Sequence, residues 1–568
     1  MHQDVAKANQ RIVGAPALSP VRTGRSARAP FVLLCLAALL FGCSAPAAGP
    51  SGTAPETPKY GGAATYVVRS DPPGWDPWGR TRAFDPTRMT AEMVFNPLYG
   101  PATNTGSDCS VTVQPELAES WRYLDDKTFE VKLRQGVKWH NKSPVNGREL
   151  VADDVVFTLE ERHKKGPAGQ RYVTQLFYDR AEATDKYTVR IHLKSPFDFF
   201  TGFTDGHRQG WITAREASNP EWLEQPEKSW IGTGPFMFKE FQPGVKVAFE
   251  KNPDYFKAGL PYVDRIEALI MPDTSTRLAA LRAGQLDIYP AASPGVVADL
   301  RKSNPEMFVK SCLDEFHIGM IFRLDKAPWN DVRVRRAVSM SLNRDAIIKT
   351  ALHGDGAPTY VFWPTNPDAL KLDEFPPEVR RNLEYRPEEA KRLLAEAGYP
   401  NGLKTTVFWT PGYESPWQEV AEAVVTMLRG GGFDAQVDLK EYGAFLRVAA
   451  GRTGTGDYPD IAMTWTQSGS TDDWLDVRWS KSPGPNYLSH VKDAKLDGMI
   501  EELWRTLDAR KHKELAREIQ IYLASQMYEV YGPTWGNGVI AGPRVRNLGW
   551  RGTNKMYTPL FEQVWLNK

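Results

Sequence analysis

The side chains that could do chemistry in this 568-residue chain are few and scattered. Asp153-Asp154 sets two carboxylates side by side, the residue type used for general acid–base work. They stand at the head of an apolar-periodic run through Val155, Val156 and Leu159. Carboxylates there satisfy free N–H groups and oppose the helix dipole, so capping is the role expected of them. His140, at the end of Gly136-Val137-Lys138-Trp139-His140, reads as a hydrogen-bonded structural histidine rather than a ligand or a base. Arg333, Arg335 and Arg336 are expected on the solvent face of one helix, bridging to nearby acids. Gly451-Arg452-Thr453-Gly454-Thr455-Gly456 is a turn and lacks the pattern of a phosphate loop. No C-x-x-C, H-E-x-x-H or G-x-S-x-G occurs. A zinc site and a secreted hydrolase are therefore left without their residues, and neither enzyme activity nor a metal or cofactor is expected.

The beginning of the chain reads as a leader. Residues 1–30 carry Arg11, Arg22, Arg25 and Arg28 against the single acid Asp4, and Phe31 to Phe41 is an apolar run ending in Gly42-Cys43. A membrane-spanning helix needs about 20 apolar residues, so this shorter run fits a secretory signal over 1–42. Leu40-Phe41-Gly42-Cys43 resembles the lipobox of bacterial lipoproteins, although Phe41 is bulkier than usual there. That resemblance implies cleavage before Cys43, lipid on its thiol and anchoring to the cell membrane. Residues 43–59, rich in Ala, Pro, Gly, Ser and Thr, form a flexible tether. Removing 1–42 takes five Lys/Arg and one Asp from totals of 70 and 69, which leaves 65 basic against 68 acidic residues. With no basic excess, nucleic acid is not an expected partner. Cys109 and Cys312 remain, with a disulfide and two buried thiols as equal readings.

The elements that must position a site are legible in the stretch Ile231–Ile288. Gly232 and Gly234 suit a bend of positive φ before Pro235. Val245, Val247 and Phe249 alternate with Lys246, Ala248 and Glu250 as a half-buried strand. Leu278, Leu281 and Arg282 share a helical face that Gly284 ends. The spacing predicts strand, turn, strand, strand, helix, strand. Further helices are expected at 387–397, with Arg386 in place of a usual cap, at 417–428, at 494–507 and at 511–528.

These stretches carry motifs in a fixed order: Gly232-Thr233-Gly234-Pro235-Phe236, Asn252-Pro253-Asp254-Tyr255-Phe256, Pro261-Tyr262-Val263-Asp264, and Arg277 through Leu281 and Gly284 to Asp287. Upstream lie Leu117-Ala118-Glu119-Ser120-Trp121 and Ala152-Asp153-Asp154-Val155; downstream lies Pro328-Trp329-Asn330-Asp331-Val332-Arg333-Val334-Arg335. Together they resemble the signatures of family 5 extracytoplasmic solute-binding proteins of ABC importers, the oligopeptide, dipeptide and nickel type. The resemblance spans 60–568 and implies an α/β, two-lobed periplasmic-binding-protein-like fold of type II. An extra domain would be inserted in the first lobe, with the ligand cleft between the lobes. The expected divisions are 60–90, 228–300 and 530–568 for the first lobe, 91–227 for the extra domain and 301–529 for the second lobe.

It also implies a monomeric, extracytoplasmic protein that captures an oligopeptide-like solute and delivers it to a membrane permease. Trp75 and Trp78 would reach the cleft from the first lobe, or else pack it; Trp465 and Trp474 would reach it from the second. Peptide binders of the family place an Asp three residues after the first of these second-lobe tryptophans, as partner of the peptide ammonium. Here Ser468 stands there. Asp472 and Asp473 are the acids that could replace it. An oligosaccharide, which needs no such partner, is the alternative solute.

Overall fold

A computed structural model gives the fold, describing residues 57–76, 85–101, 113–165, 177–197, 210–411, 415–449, 455–466, 490–551 and 558–567. Strand β1 (Ala63–Val68) is followed by helix α1 (Asp85–Val94) and a short ribbon, β2 (Tyr99–Pro101) with β3 (Val113–Pro115). Four antiparallel strands come next: β4 (Ala118–Tyr123), β5 (Thr128–Leu133), β6 (Tyr178–Asp185) and β7 (Thr188–Leu193). They form a separate sheet of order β4-β5-β7-β6, against which α2 (Ala152–Lys165) packs. This sheet falls within 91–227, the range expected for the extra domain, and Phe129, Val131, Val189 and Ile191 are buried against it.

The chain then supplies β8 (Phe236–Gln242), β9 (Lys246–Lys251), β10 (Arg265–Ile270), α3 (Thr274–Arg282), β11 (Ile288–Ala292) and α4 (Pro294–Ser303). The long strand β12 (Phe308–Phe322) leads to α5 (Val332–Met340), α6 (Arg344–Thr350), the two-residue β13 (Gly356–Ala357), α7 (Pro387–Glu396) and β14 (Leu403–Trp409). Then follow α8 (Trp417–Gly430), β15 (Phe433–Leu439), α9 (Tyr442–Ala449), β16 (Ile461–Thr466), α10 (Ala494–Trp504), α11 (Ala509–Gln526) and a second long strand, β17 (Glu529–Ala541). The main sheet runs β15-β14-β16-β12-β17-β11-β1-β10-β9-β8, with β13 added to β17. Strands β14 to β16 fall within 301–529, the range expected for the second lobe, and β1 with β8 to β11 within the ranges expected for the first. Strands β12 and β17, antiparallel partners over most of their length, cross between the two.

Local rules account for the helix starts. Asp273, Ser293, Asp331, Asn343, Asp493 and Asp508 each cap a helix by accepting a backbone N–H two or three residues on. Arg386 precedes α7 without a side-chain cap, as its type dictates, and Pro387 opens that helix.

Two local readings are corrected by long-range contacts, and one open alternative is decided. Gly232 and Gly234 are not among the residues with positive φ. They are needed because the end of α1 presses on them: a Cβ on either would meet the Val94 carbonyl group. Of the three arginines, only Arg333 pairs with an acid at the surface, Asp331 at 2.6 Å. Arg335 is 4 % exposed and donates to the carbonyls of Gln526, Met527 and Trp329, while Arg336 donates to that of Ser525. They stopper the carboxyl end of α11, where unpaired carbonyls and the helix dipole favour a cation. Cys312, buried on β12, is disulfide-bonded, so the free-thiol reading falls for that residue. Cys109 lies outside the described residues.

Candidate functional site

The signature motifs turn out to be joints. His140 sits at the junction of the extra domain with the first lobe, fully buried. Its Nε2 donates to the Gly234 carbonyl at 3.0 Å and its Nδ1 accepts from the Gly232 N–H at 3.3 Å, a pairing that assigns the tautomer. Burial pushes its pKa down to about 4, so the ring is neutral. Asn252 donates to the same Gly234 carbonyl and Thr233 donates to Asn96, both with buried partners. Lys257 bridges Glu116 of the extra domain and Glu562 at 2.9 Å each, and Tyr255 donates to Glu562.

Asp154 is bound by the Arg148 guanidinium at 2.7 and 2.8 Å and accepts from Trp139 and from the N–H of Val151 just ahead of α2. It folds back on the helix entry as the second half of a capping box does. Asp287 accepts from Thr65 and from Arg544, stapling β1 to the chain beyond β17. All these polar groups serve the frame, and none is free to do acid–base chemistry.

The cleft is located by strand register. In the second lobe β14, β15 and β16 are mutually parallel, with carboxyl ends at Trp409, Leu439 and Thr466. In the first lobe β1, β10 and β11 are parallel, with carboxyl ends at Val68, Ile270 and Ala292. On the crossing strands, Thr466 is level with His317 and thus with Thr534, whereas Ala292 is level with Gly538. The carboxyl ends of both parallel sets therefore point toward one another across residues 534–538. Open α/β sheets bind their ligands at such a switch point.

Within that interval Leu313 opposes Gly536 while His317 opposes Thr534, so β12 carries two extra residues opposite Trp535. Trp417, the first residue of α8, packs its ring edge-on to Trp535 at 5.1 Å. The His317 ring lies 5.3 Å from that of Tyr531. Trp409 is 5 % exposed at the end of β14, and no acceptor stands within reach of its Nε1 among the described residues. These aromatics at the strand switch, buried except for the half-buried Trp417, were missed in sequence. The signal lay in the glycines of β17: at Gly536 a Cβ would meet Ser311 and Asp355, and at Gly538 Val297. Glycine inside a strand marks such close approach.

Of the residues expected at the cleft, Trp75 is 5 % exposed, its ring edge-on to Trp230, Phe238 and Phe241 within 5.5 Å. That is the packing alternative for this residue. Trp465 lies on β16 with its backbone opposite Ile318. Trp78, Ser468, Asp472, Asp473, Trp474 and Cys43 lie outside the described residues.

Two lobes joined by two crossing strands, with both sets of strand ends aimed at the gap, define a solute-binding protein of the periplasmic type. The chain belongs to the bacterial extracellular solute-binding proteins, family 5, whose profile matches residues 112–487. It is 28 % identical over 494 residues to the di/tripeptide-binding protein 1 of Pseudomonas aeruginosa (strain UCBPP-PA14), covering 81 % of this chain and 87 % of that one. It is 27 % identical over 486 residues to the dipeptide-binding protein of Escherichia coli (strain K12), covering 79 % and 86 %. Its fold matches that of the periplasmic binding protein DppA of Helicobacter pylori in complex with the peptide STSA. The TM-score is 0.73 at 24 % identity, over 90 % of this chain and 99 % of that one. The relatives bind solutes rather than convert them, and so does this protein, outside the cytoplasm and in the service of ABC import.

Proposed function

We propose that this protein captures a short, oligopeptide-like solute between its lobes and hands it to an ABC permease while a lipid on Cys43 holds it to the membrane. The observation that carries the peptide reading is the set of di/tripeptide-binding relatives, matched over more than three quarters of both chains. The half-buried Trp417, seated on buried Trp535 where both sets of strand ends converge, supports an apolar contact there. We take the first lobe as 60–90, 228–300 and 530–568, the extra domain as 91–227 and the second lobe as 301–529. The pairing of β1, β8–β11 and β17 supports these divisions. Trp78, Trp465, Ser468 and Trp474 are the proposed solute contacts.

With serine at 468, a peptide ammonium needs Asp472 or Asp473, since a desolvated cation without a counter-charge is too costly to bind. Titration with tri-alanine and with N-acetyl-tri-alanine separates the readings. Acetylation is expected to weaken binding by at least about tenfold, and Asp472→Asn or Asp473→Asn to weaken the free peptide equally. Equal affinity for both peptides eliminates the ammonium pair. Binding of a neutral oligosaccharide in their place, which Ser468 favours, makes that the solute.

Lipid anchoring is tested separately. Cys43→Ser is expected to move the protein from the membrane to the soluble fraction. A variant still held in the membrane would mean that the apolar run itself is the anchor.

A further inference from the structure

Beyond the sheet, the extra domain touches the second lobe through three rings. Phe177, just ahead of β6, stacks on Phe197, just after β7, with centroids 4.2 Å apart and planes at 10°. The edge of Phe177 meets Trp504, the last residue of α10, at 5.7 Å and 84°. The three side chains are 7 %, 1 % and 8 % exposed.

Each partner is fixed on its own body. The Phe177 carbonyl accepts from the Lys194 N–H at 2.7 Å, and the Phe197 carbonyl accepts from Tyr123 Oη at 3.3 Å. Helix α10 is capped by Asp493, whose Oδ2 also accepts from Tyr522 at 2.7 Å and Tyr528 at 2.8 Å. The extra domain in turn is joined to the first lobe through His140 and Lys257. The ring contact is thus a contact between lobes, made away from β12 and β17.

We propose that Phe177, Phe197 and Trp504 form an aromatic clasp that holds the two lobes closed. Opening about the crossing strands must part these rings and wet their faces, so the clasp weights the closed state whatever solute is bound. It sets how much of the free protein is already arranged to enclose a solute, and hence the apparent affinity. The inference rests on capture by lobe closure and not on the identity of the solute.

Small-angle X-ray scattering of the full-length protein without added solute tests it. Trp504→Ala is expected to shift the closed-to-open ratio about tenfold toward open, read as a larger radius of gyration, while Trp504→Phe stays near the wild type. Where circular dichroism shows that Trp504→Ala does not fold, Phe177→Leu replaces it: apolar bulk is kept, the stack is lost, and a smaller shift in the same direction is expected. An unchanged radius of gyration in a folded Trp504→Ala or Phe177→Leu protein overturns the clasp.

Discussion

Gly232→Ala is expected to cost at least about 3 kcal/mol of folding stability, seen as a fall in the denaturant midpoint. The new Cβ would fall on the carbonyl oxygen of Val94, with Val94 fully buried at the end of α1. That oxygen accepts from the Gly234 N–H at 2.8 Å, so it cannot retreat without breaking the bond that seats the turn. The Gly232 N–H also donates to His140, which ties the damage to the joint with the extra domain. Gly244→Ala is the control. Gly244 has φ +71° and nothing within 4 Å of a new Cβ, so its loss is limited to backbone strain of about 1 kcal/mol. Equal losses at the two glycines would refute the steric account.

Acidification is expected to loosen the same joint. His140 has a folded pKa near 4, set first by burial, against an ordinary value of 6.5. Between those values the unfolded chain binds the proton and the folded one does not, so stability rises with pH across the interval. The contribution is complete above pH 6.5 and lost as pH falls toward 4, a total of roughly 3 kcal/mol. Denaturant unfolding at pH 7 and pH 5 should differ by about 2 kcal/mol more in the wild type than in His140→Gln. Identical differences in the two proteins would mean that His140 does not carry this proton linkage.

Element types and order were legible because they rest on local chemistry: the alternation through Val247 and Phe249, the caps Asp331 and Asn343, the proline at the start of α7. Roles that depend on distant chain were not. Gly232 looks like a turn glycine until Val94 is brought against it. Arg335 lies near Arg333 on one helix, yet one meets carbonyls from 191 and 192 residues away while the other pairs at the surface with Asp331. The aromatic cluster at the strand switch was hidden for the same reason. Trp417 and Trp535 are 118 positions apart, and only the tertiary packing of α8 beside β17 sets one against the other. The motifs read most readily were those of the frame, and the frame is what joins remote segments.

Strand β17 also fixes a schedule. It lies between β12 and β11 although every other strand of the main sheet precedes it in the chain. Asp287 waits for Arg544, and Lys257 and Tyr255 wait for Glu562, across separations of 257 to 307 residues. While the polypeptide is being made or threaded across a membrane, β11 therefore has no neighbour on its β17 edge. The extra domain draws its strands from Ala118 to Leu193 and can complete its own sheet long before. Domains generally fold as units when their segments become available. The main sheet thus begins with its earliest strand and closes with its latest, so it is the last part of the protein to become whole.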